Sequence, residues 1–477
     1  MKRVIFLLSL LFLITGTASL HAQKSDSFEE VQEVPNEMQN PLKVIFGHEA
    51  TVRQVVLATG EMAFDNLFVM GWNVIIKDRD WAKVNLKTMK ANLSKPWVWD
   101  NNTFFMNQIG HPYHGSLYFT SARSNDLNWL ESLGIAATGS LMWELFMETG
   151  APSMNDFITT TFAGAVVGEV LHRLSFEAYD VLPLFSWILS PVNAITQLVT
   201  GDRARRPIGT LWRHDWFIGG GIAKSDFTFS DGTKEEPALH APFFGFGFDA
   251  IYGNPYGHNS QELFDQFRVR GDILTSYNYR FFRLFMDGSL YSVSLFDWLD
   301  TDTSLAVTLN YDIFNVDDIS LSASSAGLAF RQEVPSGTGF FRWDIEADYV
   351  FMGVPDVYFI LNGDKKVTAA KSAPPYTYRH GPEARLGLEF EQRAFGKLSL
   401  EAQALYLMAY ENTLKETKFN APNLIAFAEA KYEHVIWGNF WLGVSDLFYF
   451  KTDWSTNILS VTQCTNLVKL YAKISFR

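Results

Sequence analysis

Val468-Lys469-Leu470-Tyr471-Ala472-Lys473-Ile474-Ser475-Phe476 sets apolar residues at every even position against lysine, tyrosine and serine at the odd ones. Successive side chains of an extended chain point to opposite faces, so this stretch reads as a strand that is apolar on one face only. The same two-residue rhythm runs back to about Leu211. About a dozen segments carry it, near 211–229, 240–253, 265–275, 281–295, 303–314, 318–331, 339–352, 382–393, 397–409, 422–433, 439–450 and 466–477. Two are especially regular. In 303–314, Leu305, Val307, Leu309, Tyr311 and Ile313 oppose Ser304, Ala306, Thr308, Asn310 and Asp312. In 339–352, Phe341, Trp343, Ile345, Ala347 and Tyr349 oppose Arg342, Asp344, Glu346 and Asp348.

Segments of about ten residues suit a strand that crosses a bilayer at a tilt. Read back from the C-terminus, the connections alternate long (451–465), short (434–438), long (410–421), short (394–396) and long (353–381). Short turns on one side and long loops on the other are the pattern of an outer-membrane barrel. The last strand, with Phe476 next to the final residue, resembles the closing strand of such barrels. The expected fold is therefore an all-β membrane barrel of about twelve antiparallel strands over 205–477, in the cell outer membrane with its lipid as partner. An α-helical N-terminal domain precedes it. Arg268, Arg270 and Asp272, Arg342 through Asp348, and Glu383, Arg385, Glu389 and Glu391 then face the lumen, where they read as wall.

Lys2 and Arg3 precede an apolar run from Val4 to Ile14, followed by small and polar residues to Ala22-Gln23. This predicts a secretory signal peptide over 1–22, too short in its core to span a membrane. No cysteine lies near the cut, which removes a lipoprotein anchor. Residues 23–45 are acidic, carry Pro35 and Pro41, and read as a polar tether. The single cysteine, Cys464, excludes a disulfide scaffold, and a net charge of −13 argues against nucleic acid.

Between them, 46–204 reads as a helical domain. Its helical stretches begin at Glu61, Gly134, Ser153 and Pro183, and Pro152-Ser153-x-x-Asp156 has the spacing of a capping box. Within it lies an ordered string of motifs. Trp97-Val98-Trp99-Asp100-Asn101 leads to Asn107-Gln108-x-x-His111-Pro112-Tyr113-His114-Gly115-Ser116, then Tyr118 and Arg123-Ser124-Asn125. Gly139-Ser140-x-x-Trp143-Glu144-x-x-x-Glu148, Pro152-Ser153-x-Asn155-Asp156 and Gly164-x-x-x-Gly168-Glu169-x-x-His172-Arg173 complete it. Over about residues 85–180 this string resembles an uncharacterised bacterial envelope family, the domain-of-unknown-function 3943 family. That resemblance implies no activity.

Glu144 and Glu148 stand four apart and Glu169 and His172 three apart, so each pair shares a helix face. Gly164 and Gly168 thin their helix and let a neighbour approach. Two facing helices would bring Glu144, Glu148, Glu169 and His172 together, with Asp156 nearby and His111 and His114 from the preceding loop. Such a group suits a transition metal, or general acid–base work on an envelope lipid or glycan. It equally suits polar groups that satisfy one another where apolar helices pack. The cofactor and the metal, if any, are unknown from spacing alone; no Gly-x-Ser-x-Gly and no phosphate-cradling loop occurs. Two roles follow: a structural or transport barrel whose helices plug or gate it, or a membrane-embedded enzyme that uses the helical His and Glu residues.

The loop alternation places 353–381, 410–421 and 451–465 outside the cell. With Cys464→Ser in the background, cysteines at Lys365 and Lys415 should react with an impermeant thiol reagent on whole cells. Labelling only after lysis would invert the topology.

Overall fold

The computed structural model describes residues 40–234, 238–239, 242–276, 280–295, 301–316, 319–356, 376–410, 422–454 and 460–476. The signal segment, most of the tether, and the loop positions Lys365 and Lys415 lie outside the described residues. Two compact units form: residues 39–208 with Glu262–Phe264, and Gly209–Gln261 with Asp265–Arg477.

The second unit is a closed barrel of twelve antiparallel strands. They are β1 Leu211–Phe229, β2 Phe243–Tyr252, β3 Gln266–Thr275, β4 Arg280–Leu295, β5 Asp302–Val316, β6 Ile319–Ser336, β7 Gly339–Gly353, β8 Arg379–Gln392, β9 Gly396–Ala409, β10 Asn423–Trp437, β11 Phe440–Asp453 and β12 Val461–Phe476. Each pairs with its sequence neighbour. A two-residue segment, Ala238–Leu239, adds a short pairing on β1. The ring shuts where β1 meets β12, in register from His214 opposite Phe476 to Phe229 opposite Val461.

The alternation read from the sequence is the alternation of the wall. Leu470 is 69% exposed and Ile474 45%, whereas Lys469 and Lys473 are buried. Ile222, Phe244, Leu328 and Ile345 are likewise exposed on their strands. A soluble barrel would be polar outside, because isolated apolar groups on a surface are tolerated but a continuous apolar wall is not. This wall is stable against hydrocarbon.

The lumen is crossed from wall to wall. In a ring of twelve, strands six apart stand opposite each other, and three such pairs touch. Arg268 on β3 donates to Glu401 on β9 at 2.8 Å. Arg283 on β4 donates to Glu429 on β10 at 2.7 Å. Phe314 on β5 stacks on Tyr449 of β11 with centroids 5.5 Å apart, and meets Phe427 of β10 edge-on at 4.8 Å. Arg385 adds bonds to Asp287 at 2.6 Å and to Asp312 at 2.7 Å. The charged layer leaves a cavity of about 120 Å³ lined by Arg213, Arg268, Glu389 and Glu401 among others. The aromatic layer belongs to an apolar cluster that includes Ala223, Phe243, Leu274, Leu321, Leu405 and Leu467.

The first unit is helical: α1 Pro41–Phe46, α2 Val52–Ile75, α3 Leu86–Asn92, α4 His111–Ser124, α5 Trp129–Met142, α6 Met154–Ile158, α7 Gly164–Val181, α8 Pro183–Leu189 and α9 Pro191–Thr200. α1 stands where the last residues of the polar tether were expected, with Asn40 capping Leu42 N and Pro41 at a first-turn position. α2 starts nine residues before Glu61, on a capping box between Thr51 and Gln54. The stretch from Ser153 is three pieces, α6, a π-turn at Thr159–Ala163, and α7.

Heating should convert the mature protein from a compact to a slower-migrating form on a gel. Leu470→Arg should lower the folded fraction, by about 2–4 kcal/mol if the site lies at the bilayer midplane. A variant as stable as the parent in lipid would contradict an outward-facing Leu470.

Candidate functional site

α4 carries both site histidines, which corrects their expected place on a loop. Pro112 follows directly on the π-turn Met106–Gly110 inside a helical run that begins at residue 104, where the regular hydrogen-bond ladder is already displaced. Gly115 serves packing. A Cβ there would fall 1.8 Å from the Thr160 carbonyl oxygen, and one on Gly164 would fall 2.7 Å from Gly115 Cα. The two glycines thus let α4 lie directly on the segment that leads into α7.

That contact brings His111 to Asp156. Nε2 lies 3.5 Å from Asp156 Oδ1, and Nδ1 lies 3.3 Å from the Thr160 hydroxyl. One turn on, His114 Nε2 is 3.0 Å from Asp65 Oδ2 of α2 and 3.0 Å from the Tyr118 hydroxyl. Its ring stands edge-on to Trp143 at 5.0 Å. Two imidazoles on one helix face are thus each aimed at a carboxylate from a different element.

The other acids close in from α5 and the loop before α6. Glu144 Oε2 accepts the Ser153 N–H at 2.7 Å, and Glu148 accepts the Trp143 indole N–H at 2.7 Å. Asn155 donates to Asp156 at 2.8 Å and to Asp100 at 3.2 Å. Three π-turns, Met106–Gly110, Trp143–Met147 and Thr159–Ala163, adjoin or contain His111, Glu144 and Thr160. A π-turn widens the helix by one residue and re-aims the side chains it carries, and such turns concentrate at functional sites.

Crowding acids in a buried place makes them hold protons. Burial, then Asp156 and Glu148, push the Glu144 carboxyl up to about 9. Burial, then Asp100, push Asp156 well above the usual carboxylate range, and burial raises Glu148. Burial pulls His111 down to about 4, against the opposing pull of Glu148. At neutral pH the site therefore holds a neutral His111 imidazole and a Glu144 carboxyl that keeps its proton.

Glu169 and His172 have other partners. Glu169 is fully buried between two guanidiniums, with Arg123 Nε at 2.8 Å and Arg173 Nε at 2.7 Å. Arg173 also donates to the Ile208 carbonyl at 2.7 Å. His172 is driven well below its usual range by burial and by Arg123 and Arg173. This pair ties α4, α7 and the end of the helical unit together. Among the described residues no three His, Cys, Asp or Glu side chains are arranged to hold a metal ion. Sequence reasoning missed Asp65, Tyr118 as a partner, and Thr160. Asp65 did carry a signal, a carboxylate one turn from Glu61 in a largely apolar helix.

The fold is thus a transmembrane-type barrel joined to a helical unit with a buried acid–base group. Residues 96–180 match the family model "Domain of unknown function (DUF3943)". Asp65 lies outside that match. No curated protein matches the chain. Among solved structures, similar ones include a FadL homologue of Pseudomonas aeruginosa, at 9% identity over 55% of this chain and 90% of that one, TM-score 0.26. The outer membrane protease OmpT of Escherichia coli is 9% identical over 57% of this chain and 99% of that one, TM-score 0.20. The toluene transporter TbuX of Ralstonia pickettii is 8% identical over 55% and 89%, TM-score 0.22. Values this low do not bear on what this chain does.

The pH response of the helical unit follows from these shifts. Glu144 keeps its proton to about pH 9 when folded and releases it from 4.5 when unfolded, so its contribution is lost as pH rises through that window. His111 is the reverse: its contribution is present above 6.5 and lost as pH falls toward 4. Glu144→Gln should flatten the alkaline loss of helix stability measured by circular dichroism, and His111→Asn the acid one. Unchanged slopes would show that neither group is buried as described.

Proposed function

We propose that the barrel anchors the protein in the bacterial outer membrane and that the helical unit is its working part. The unit is a general acid–base site that acts on an envelope lipid or glycan. The observation that carries this reading is His111 held 3.5 Å from Asp156 in a buried group that also holds Glu144 and Glu148. One group can take a proton from an attacking water or hydroxyl, and the other can give one to a leaving oxygen. His114, oriented by Asp65 and Tyr118, supplies a second proton acceptor one turn away. Asp65 and His114 keep 20% and 14% of their side-chain surface open, so the group reaches the exterior at this edge.

Transport through the barrel has less support. Ion pairs and aromatic contacts join opposite walls of the lumen. The apolar outer wall supports the outer-membrane address, as does the secretory signal read from the sequence.

The test compares purified wild-type protein with His114→Asn and Glu144→Gln on outer-membrane lipid and on glycan fragments, with products followed by mass spectrometry. Both changes preserve shape and remove basicity or acidity. The expected result is product formation by the wild type and a loss of about 10²–10⁴-fold in each variant, at equal abundance and heat modifiability. Activity that tracks abundance across the variants, or no turnover by the wild type, would sink the enzyme reading and leave a structural role.

A further inference from the structure

α2 is built inside out. Along one side Val52, Val56, Phe64, Phe68, Trp72 and Ile75 follow one another at helical spacing, and all are exposed in the folded chain. Val52 is 81% exposed, Phe68 59% and Ile75 78%. Three polar residues of the same helix turn inward, while Arg53 at its start is exposed. Asn66 is fully buried and donates to the Gly139 carbonyl at 3.1 Å. Glu61 accepts from Thr196 at 2.9 Å and from Asn125 at 3.0 Å, and Asp65 meets His114. A helix on a water-soluble surface has the opposite arrangement.

The pattern extends to the end of the unit. In α8 and α9, Leu184, Trp187, Ile195 and Leu198 are exposed, while Ser186 and Thr196 are buried. The packed side of the unit mixes small and hydroxyl-bearing residues with aromatic ones: Gly115, Ser116, Thr120 and Ser121 of α4 and Thr159, Thr160 and Thr161 are buried, as are Tyr118, Phe119, Trp129 and Phe176. Helices that pack in lipid use small and hydroxyl-bearing residues at their contacts and turn their apolar groups outward.

No described helix is long and apolar enough to cross a membrane. A helix that is apolar on one side, too polar to span, and rich in Val, Phe and Trp on its open side fits the plane of a bilayer surface. A further observation names lipid as the occupant. α2 runs directly into a segment whose exposed charges are Lys77, Arg79, Lys83, Lys87 and Lys90 against Asp78 and Asp80, and such a net positive stretch favours an anionic headgroup layer.

We propose that the open face of α2, continued by α8 and α9, docks on the surface of a lipid bilayer. The site around His114 and Asp65 then works on a substrate presented at that surface. The docking itself rests on the barrel being the membrane anchor and is independent of whether the site is catalytic.

The test uses the full chain with Cys464→Ser, reconstituted in vesicles of phosphatidylethanolamine and phosphatidylglycerol with or without brominated acyl chains. Single cysteines at Val56→Cys, Phe68→Cys and, as a control in the linker, Asp202→Cys carry a polarity-sensitive fluorophore. Docking to a depth of about 5–10 Å predicts blue-shifted emission at 56 and 68 and loss of roughly half of it to the bromolipid, with no such loss at 202. Blue-shifted emission that bromine does not quench would mean that protein, such as a second copy, covers the face, and would overturn the proposal. Water-like emission at 56 and 68 would overturn it as well. Heat modifiability of each sample reports barrel insertion separately, so an anchored barrel with an undocked helix is distinguishable from a barrel that never inserted.

Discussion

The closure of β1 on β12 is the constraint from which the rest of the molecule follows. A strand in hydrocarbon has no water to satisfy an unpaired N–H or C=O, and each such group costs several kcal/mol. An open sheet would leave two edges of them. Sixteen register positions from His214/Phe476 to Phe229/Val461 remove both edges at once. Once the ring is closed, alternation is forced, because every second side chain of every strand must meet lipid.

The inner face then has its own problem. The positions that cannot meet lipid are filled with arginine, lysine, aspartate and glutamate in near-matched number, and a buried charge is tolerable only when paired. The pairs across the lumen, Arg268 with Glu401 and Arg283 with Glu429, supply that pairing and join opposite walls. Breaking one partner of such a bridge leaves a buried charge and costs about 3–5 kcal/mol, which makes these contacts structural before anything else. The aromatic layer around Phe314 joins the walls without charge.

The helical unit solves a related problem with different means. Many of its polar groups are interior and the apolar side chains along one side of α2 are open, so close backbone approach and hydrogen bonds join the buried Tyr118, Phe119 and Trp129 in holding it together. Gly115 against Thr160 and Gly164 sets the distance between helices, and Glu169 between Arg123 and Arg173 locks it. The same polar interior that holds the helices together is what perturbs His111 and Glu144. Cohesion and acid–base readiness come from one set of residues, as expected where perturbed groups cluster.

Most of the barrel was legible in the sequence. Twelve alternating segments corresponded to twelve strands, and Lys469 and Lys473 pointed inward as their positions required, because a period of two leaves a strand no other way to bury one face. Alternation is local, so no knowledge of the partner strand is needed. The histidine–carboxylate group was legible only in its members. Glu144, Glu148, Asp156, His111 and His114 come together, but the helix under the two histidines was hidden by Pro112 and Gly115. The separation of Glu169 and His172 was decided by Arg123 and Arg173, whose roles depend on how α4 and α7 pack. Asp65 reaches His114 from a helix nearly fifty residues away. Nothing in a linear spacing encodes that meeting, since it depends on where glycines allow two backbones to touch. The sequence by itself determined which faces are apolar and hence the strands and the membrane wall; only tertiary packing decided which buried acids meet which bases.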